Sequence, residues 1–160
     1  MPPSVSAPAM GGIKALDAWR DAAPAVDREE VSATRECMHS RGPDAGDAWF
    51  SSDGRVGFGH RRLAIIDPDP RANQPMHSGD GRYVIVFNGE IYNYQALRGA
   101  LVKQGVTLRT TSDTEVVLES FARQGPDSFK SLRGMFALAI WDRETRKLLL
   151  ARDPYGIKPL

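Results

Sequence analysis

Three places in the sequence carry groups that could bind or stabilise a charged ligand. Arg62 brings a guanidinium, which can offer two parallel hydrogen bonds to a carboxylate. The pair Asn88-Gly89 combines a side-chain amide with a glycine that lets a ligand approach the backbone closely. Asp113 adds a carboxylate. Spacing alone is also consistent with a solvated arginine at a strand end, a strand-end turn and a helix cap, so both interpretations stay open at this point.

The sulfur and imidazole groups form no recognisable metal or catalytic pattern. Cys37 is the single cysteine of the chain, and a lone internal cysteine is usually an inert packing residue. The three histidines, His39, His60 and His77, have no paired spacing with cysteine or carboxylates that resembles a metal site. We therefore expect no bound metal and no catalytic role for Cys37.

Composition excludes several broad classes of function. With 160 residues, 41% of them hydrophobic, the chain can form the core of one ordinary domain. Its 21 basic and 20 acidic residues leave no charge surplus to hold a phosphate backbone, so nucleic acid is not an expected partner. The longest apolar stretch, at 135–141, is too short for a membrane span, and the start lacks a signal-peptide pattern. We expect a cytoplasmic protein with a disordered leader at 1–10.

Hydrophobic periodicity and turn residues predict the elements that position these groups. An amphipathic helix is expected at 27–38, and the segment 12–19 fits a core strand poorly. A buried strand at 83–87 runs into Asn88-Gly89, and Asn93 is expected to cap the helix that follows. Ser112 and Glu115 have the spacing of a capping box. The remaining segments are two hairpins, 48–51 with 56–63 and 135–141 with 147–151. Strands, then helices, then strands favour an α+β fold.

Seven sequence blocks together resemble one family, the glutamine-hydrolysing asparagine synthetases with their class II (Ntn-type) glutamine amidotransferase domain. A single short motif would be weak support, but these blocks follow the family's order, clearest from about residue 41. The resemblance implies that 11–160 is part of that domain, with a four-layer αββα sandwich of two antiparallel sheets, C-terminally incomplete. The blocks are RGPDAG at Arg41, GHRRLAIID at Gly59, NQPM at Asn73, FNGEIYN at Phe87, TSDTEVVL at Thr111, LRGMFALAIWD at Leu132 and ARDPYGIKPL at Ala151.

The same resemblance implies a role for each candidate residue in a pocket for L-glutamine. Arg62 corresponds to the clamp for the substrate carboxylate, and Asp113 to the partner of its ammonium group. Asn88 and Gly89 match the oxyanion hole, where an amide and a backbone N–H face the developing negative charge. Further pocket residues implied by the family are Leu63, Ile65, Ile66 and Glu90.

One requirement of the family reaction is missing from this sequence. The family uses an N-terminal cysteine whose thiol attacks the glutamine amide while its own α-amino group acts as the base. Here the nearest match to that start is Met10-Gly11-Gly12-Ile13, so Gly11 stands where the cysteine is expected. We therefore expect this chain to have no glutaminase activity.

By resemblance, the intact family member is an asparagine synthase whose glutaminase domain supplies ammonia for asparagine biosynthesis. The sequence has no SGGxDS pyrophosphate loop, so we expect no cofactor in this chain. ATP and magnesium would belong to a synthetase domain, in cis or in trans. The alternative is a non-catalytic glutamine-binding or scaffold domain, similar to the domains of β-lactam synthetases and lasso-peptide cyclases.

Overall fold

The fold is α+β, with two antiparallel sheets between helical layers. A computed structural model describes residues 11–18, 23–64 and 66–160, so the predicted leader at 1–10 and Ile65 lie outside the described residues. The elements in the described part are β1 Gly12–Asp17, α1 Arg28–Cys37, β2 Ala45–Phe50, β3 Val56–Arg62, β4 Met76–His77, β5 Tyr83–Ile91, α2 Tyr94–Lys103, α3 Asp113–Gln124, β6 Gly134–Asp142 and β7 Lys147–Arg152.

The layer order follows from which elements pack together. One sheet has the strand order β1-β3-β2 and the other β4-β5-β6-β7, and every neighbouring pair within them is antiparallel. Helix α1 packs on the first sheet, helix α3 packs on the second, and α2 packs against α3. The result is the predicted sandwich of helix, sheet, sheet and helices, and the predicted fold class is confirmed.

The interior between the sheets is apolar at one end. Val56 and Phe58 of β3 pack against Val84 and Val86 of β5, and all four side chains are fully buried. Successive side chains of a strand point to opposite faces, so β3 and β5 each present every second residue to this interior. Further along both strands the same inward faces carry polar residues, and there the candidate site lies.

Strand β1 corrects the expectation for segment 12–19. It pairs with β3, with Gly12 opposite Arg61, and its Ile13 and Ala15 pack on the interior cluster. Lys14 points the other way and pairs with Glu30 of α1 at 3.2 Å. The expectation was wrong because only Ile13 and Ala15 need to face the interior, where they are partly buried, and a lysine is tolerated on the outer face of the strand.

Strand β5 is longer than predicted. It continues through Asn88 and Gly89 to Ile91, so these residues form a strand and not a strand-end turn. Gly89 does not have a positive φ. A Cβ at this position would collide with the backbone oxygen of Met135 on β6, so glycine is required for the close approach of two strands.

One of the two capping residues predicted from the sequence, Ser112, caps its helix, and Asp27 caps α1 without having been predicted to do so. Asp27 Oδ1 accepts from the Glu29 N–H at 2.8 Å, and Ser112 Oγ accepts from the Glu115 N–H at 3.3 Å. Asn93 precedes α2 but its side chain does not cap that helix. Its amide instead donates to the carbonyl of residue 131 and accepts from the N–H of residue 133, both at 2.9 Å, because the chain entering β6 passes beside it.

Candidate functional site

The polar end of the sandwich interior opens into a cleft. It lies between the end of β3, the middle of β5 and the start of α3. Its lining residues, which include most of those predicted from the sequence, are Gly11, His60, Arg62, Leu63, Ile66, Asp67, Ala72, Gln74, Phe87, Asn88, Gly89, Glu90, Ser112, Asp113 and Thr114. The predicted residues that the structure describes thus meet in one cleft, and their individual roles remain predictions.

The Arg62 guanidinium is buried and held by neutral acceptors. Its Nη1 donates to Asn73 Oδ1 at 2.8 Å and to the Asp69 carbonyl at 3.1 Å, and its Nη2 donates to the Asp67 carbonyl. Within the described residues it forms no ion pair with a carboxylate. Burial lowers the pKa of Arg62, but an arginine keeps its charge at any physiological pH. The cleft therefore holds a desolvated cation that a ligand carboxylate could neutralise.

The edge of β5 that faces the cleft carries backbone N–H groups at every second residue. The Phe87 N–H donates to Gln74 Oε1 at 2.6 Å, and the Ile91 N–H donates to Asp113 Oδ2 at 3.1 Å. Gly89 lies between these two residues, so its N–H points to the same side. Side chains from outside the sheet thus occupy the N–H groups on either side of Gly89.

Pairing with β6 does not occupy the Gly89 N–H. Gly89 faces Phe136, whose own N–H and carbonyl bond to Asp153 on the opposite side at 3.2 and 2.8 Å. The two residues are therefore a non-hydrogen-bonded pair of the antiparallel ladder. Among the described residues, neither the Gly89 N–H nor the Asn88 side-chain amide has a hydrogen-bond partner. Both residues line the cleft, so it contains two free donors from neighbouring residues, and donors of this kind can stabilise an oxyanion when they converge on one oxygen.

Asp113 supplies a buried carboxylate opposite this edge. It is the first residue of α3 and is only 5% exposed. Burial raises the pKa of Asp113 to about 6, although backbone N–H groups, including that of Ile91, oppose the rise. At neutral pH most of the molecules carry the ionised form in a poorly solvated position. Such a carboxylate favours a cationic ligand group at hydrogen-bonding distance.

Two further cleft residues were not assigned a role from the sequence. His60 is 3% exposed, and burial lowers its pKa to about 4, so its imidazole is neutral. Gln74 is 6% exposed and joins β5 to α3 through its amide. Both lie inside blocks that carry the family resemblance, GHRRLAIID and NQPM. Their partners are distant in sequence, so the blocks alone could not indicate what these side chains contact.

Gly11 lies at the rim of the cleft beside the end of β3. A Cβ built on it would be 2.5 Å from the Arg61 carbonyl oxygen and 3.6 Å from His60 Nε2. Any side chain at residue 11 therefore needs a shift of the backbone in this region. Cys37 is exposed at the end of α1 and is not among the residues that line the cleft.

Comparison with known proteins identifies the family. The sequence model of the glutamine amidotransferase domain matches residues 10–160. The chain belongs to the glutamine amidotransferase domain family. It is 46% identical over 139 residues to asparagine synthetase [glutamine-hydrolyzing] 1 of Bacillus subtilis, a match that covers 86% of this chain and 22% of that protein. A putative asparagine synthetase of Mycobacterium tuberculosis H37Rv is 45% identical over 148 residues, which cover 88% of this chain and 22% of that protein.

A solved structure supports the same assignment at the level of the fold. Glutamine phosphoribosylpyrophosphate amidotransferase from B. subtilis superposes with a TM-score of 0.57 and 28% sequence identity, over 66% of this chain and 25% of that chain. The amidotransferase domain described here thus has an Ntn-type neighbour, as the resemblance implied. In the described part of the chain, no helix is long and apolar enough to span a membrane.

Proposed function

We propose that this amidotransferase domain binds L-glutamine and belongs to an asparagine synthetase that takes nitrogen from glutamine. The observation that carries the proposal is the meeting, in one cleft, of three groups with unsatisfied interactions. These are the Arg62 cation without a carboxylate partner, the buried Asp113 carboxylate and the unpaired Gly89 N–H. A zwitterionic amino acid with an amide tail has one complementary group for each of them.

The proposed orientation follows from charge and from hydrogen-bonding capacity. The α-carboxylate of glutamine bonds to Arg62, and the α-ammonium to Asp113. The side-chain carbonyl oxygen then accepts from the Gly89 N–H and the Asn88 amide. If a nucleophile attacked the amide carbon, the carbonyl oxygen would become an oxyanion held by these two donors, and ammonia would leave once its nitrogen gained a proton.

Gly11 favours glutamine binding without hydrolysis in this chain. Glycine has no side-chain nucleophile, and we assign residue 11 to the position at which the family has its cysteine. The second candidate function, a non-catalytic glutamine-binding or scaffold domain, is supported by the same residue. The crowding of residue 11 against Arg61 adds to that support, because a cysteine would need the backbone to move.

The proposal also says which domain binds the acceptor of the nitrogen. The chain spans about 22% of the length of the asparagine synthetases quoted above. We assign ATP, magnesium and the amino-acid acceptor to a synthetase domain that works with this one in cis or in trans. The role of the present domain is then to recognise the nitrogen donor.

Calorimetric titration of the 160-residue chain with L-glutamine tests the proposal, with Arg62→Lys and Arg71→Lys as matched variants. Arg71 lies in the loop that follows β3 and its side chain is 69% exposed, so its replacement should change the dissociation constant for glutamine less than about twofold. A lysine at 62 offers only a point charge, so we expect binding about tenfold weaker or worse, which is about 1.4 kcal/mol. Equal binding by Arg62→Lys and wild type would contradict the assignment.

Ammonia release, measured on the same preparations, separates the two candidate functions. We expect none above background from the wild-type chain. A variant that starts at Met10 and carries Gly11→Cys should gain activity only if β1 can shift away from the Arg61 carbonyl. Hydrolysis by the wild-type chain would overturn the proposed consequence of Gly11, and its loss in Cys37→Ala would then identify the nucleophile.

A further inference from the structure

We infer that Gln74 is a positioning residue, whose side chain takes the place of a missing strand and keeps the Gly89 N–H directed at the ligand amide. This inference rests on the proposed function, because it concerns the amide end of the same cleft. Gln74 comes from the NQPM block, which no assigned role has used. Its amide oxygen accepts from the Phe87 N–H at 2.6 Å, and its amide nitrogen donates to Thr114 Oγ1 at 3.2 Å.

The need for such a residue follows from the short length of β4. This strand contains only Met76 and His77, and its last pairing with β5 in the direction of the cleft is Met76 opposite Ile85. Beyond Ile85 the outer edge of β5 has no neighbouring strand among the described elements. The next outward N–H, that of Phe87, is buried and would lose a hydrogen bond without Gln74, which is costly.

The second bond of Gln74 connects this edge to helix α3. Thr114 is the second residue of α3 and follows Asp113 directly, so one side chain ties the strand with the proposed oxyanion donors to the helix with the proposed ammonium partner. Gln74 and Thr114 are 6% and 4% exposed, so water does not compete strongly for the bond. This bond and the Ile91 N–H bond to Asp113 together set the separation between the two ends of the ligand.

The residue before Gln74 makes the corresponding contact with the third group. Asn73 Oδ1 accepts from Arg62 at 2.8 Å, while Asp67 of the same loop accepts from the Thr111 N–H at 2.7 Å. The segment 67–74 thus holds the carboxylate clamp with one side chain and the amide end with the next. We therefore predict that Asn73 affects recognition of the ligand carboxylate, whereas Gln74 affects recognition of the ligand amide.

The experiment uses the full chain with Gln74→Met, a variant of similar length that lacks both hydrogen bonds. Gln95→Met, at an exposed position on α2, is the matched control. Amide hydrogen exchange should become about tenfold faster or more at Phe87 and stay unchanged at Val86, whose N–H faces β6. Gln74→Glu keeps an acceptor oxygen, so Phe87 should remain protected in that variant.

Ligand selectivity distinguishes positioning from a merely structural role. L-norvaline has the α-carboxylate and α-ammonium of glutamine but no side-chain amide. In Gln74→Met we expect L-glutamine to bind about fivefold more weakly or worse, and L-norvaline to bind within about twofold of wild type. A loss shared equally by both amino acids would show that Gln74 only supports the fold, and would overturn the inference.

Two other outcomes separate the role of Gln74 from the proposed binding of glutamine. Unchanged exchange at Phe87 in Gln74→Met would overturn the inference, whatever the affinity. A wild-type chain that binds neither amino acid would refute the proposed function, while the exchange data would still show whether Gln74 holds the edge of β5.

Discussion

Burial of the Asp113 carboxylate has opposite effects on folding and on ligand binding. Its pKa in the folded protein is about 6, against an ordinary value of 3.8. The folded chain therefore binds this proton more tightly than the unfolded chain, so the contribution of Asp113 to the free energy of unfolding falls as pH rises from about 4 to about 6 and is constant above that. The ionised form that attracts a ligand ammonium group is the one that destabilises the fold.

The Asp113→Asn variant should separate these two effects. Asparagine is isosteric and uncharged, so at about pH 7.5 we expect the free energy of unfolding to rise by roughly 1–3 kcal/mol, with the gain vanishing near pH 4. Glutamine affinity should fall about tenfold or more at pH 7.5. Urea titrations at both pH values and calorimetry measure the two quantities. Asp127→Asn, at an exposed position, is the control, and a less stable Asp113→Asn protein at pH 7.5 would contradict the argument.

At the scale of single residues, the sequence could identify the functional groups of the cleft but not their hydrogen-bond partners. Arg62, Asn88, Gly89 and Asp113 were found through motif blocks, and the structure brings them to one cleft. The contacts of Gln74 could not be found in this way, because its partners lie 13 and 40 residues further along the chain. Chain folding, and not local pattern, decides such contacts.

At the scale of elements, the start of α3 is fixed by Glu115 more than by its cap. This carboxylate is 1% exposed and accepts from the Arg109 N–H at 2.9 Å, the Thr110 N–H at 2.7 Å and Thr110 Oγ1 at 2.8 Å. These bonds from the preceding loop lower the pKa of Glu115 in spite of its burial. The loop and the first turn of α3 are therefore one unit, which carries Asp113 into the cleft.

Replacing Glu115 tests this unit. Glu115→Ala leaves two backbone N–H groups without their acceptor, so we expect a loss of roughly 3 kcal/mol in the free energy of unfolding. Because the folded pKa lies below the ordinary 4.5, the charged contribution should be present at neutral pH and disappear as pH falls below about 4. Urea unfolding at both pH values measures it, with exposed Glu29→Ala as control. A loss under about 1 kcal/mol would show that water replaces these bonds.

Local signals predicted most of the elements and failed where packing decides. The capping residue of α3 and both hairpins were predicted because the responsible residues are neighbours in sequence. Strand β1 was missed because Lys14 interrupts its apolar residues; in the structure this side chain lies on the outer face of the strand, where it pairs with Glu30 of α1. The extension of β5 through Gly89 was missed as well, because it depends on the close approach of β6.

At the scale of the whole molecule, the two sheets set the width of the cleft. Arg62 lies at the end of β3 and Asn88 lies on β5, so their separation is determined by the packing between sheets. Phe58 lies between the sheets two residues before His60 and is fully buried. The apolar side chains between the sheets therefore determine the geometry of the polar cleft, because they fix the distance between β3 and β5.

A pair of phenylalanine substitutions tests this dependence. Phe58→Ala and Phe121→Ala remove the same side chain, and each should cost roughly 3–5 kcal/mol of stability. Phe121 lies toward the far end of α3, stacked on Phe129 at 5.6 Å, outside the inter-sheet interior. Under conditions where both variants are folded by near-UV circular dichroism, we expect only Phe58→Ala to weaken glutamine binding, by about fivefold or more. If Phe58→Ala bound glutamine as tightly as Phe121→Ala and wild type, the loops and not the sheets would set the geometry of the site. Phe58→Leu, which fills part of the space, should then also bind glutamine like wild type.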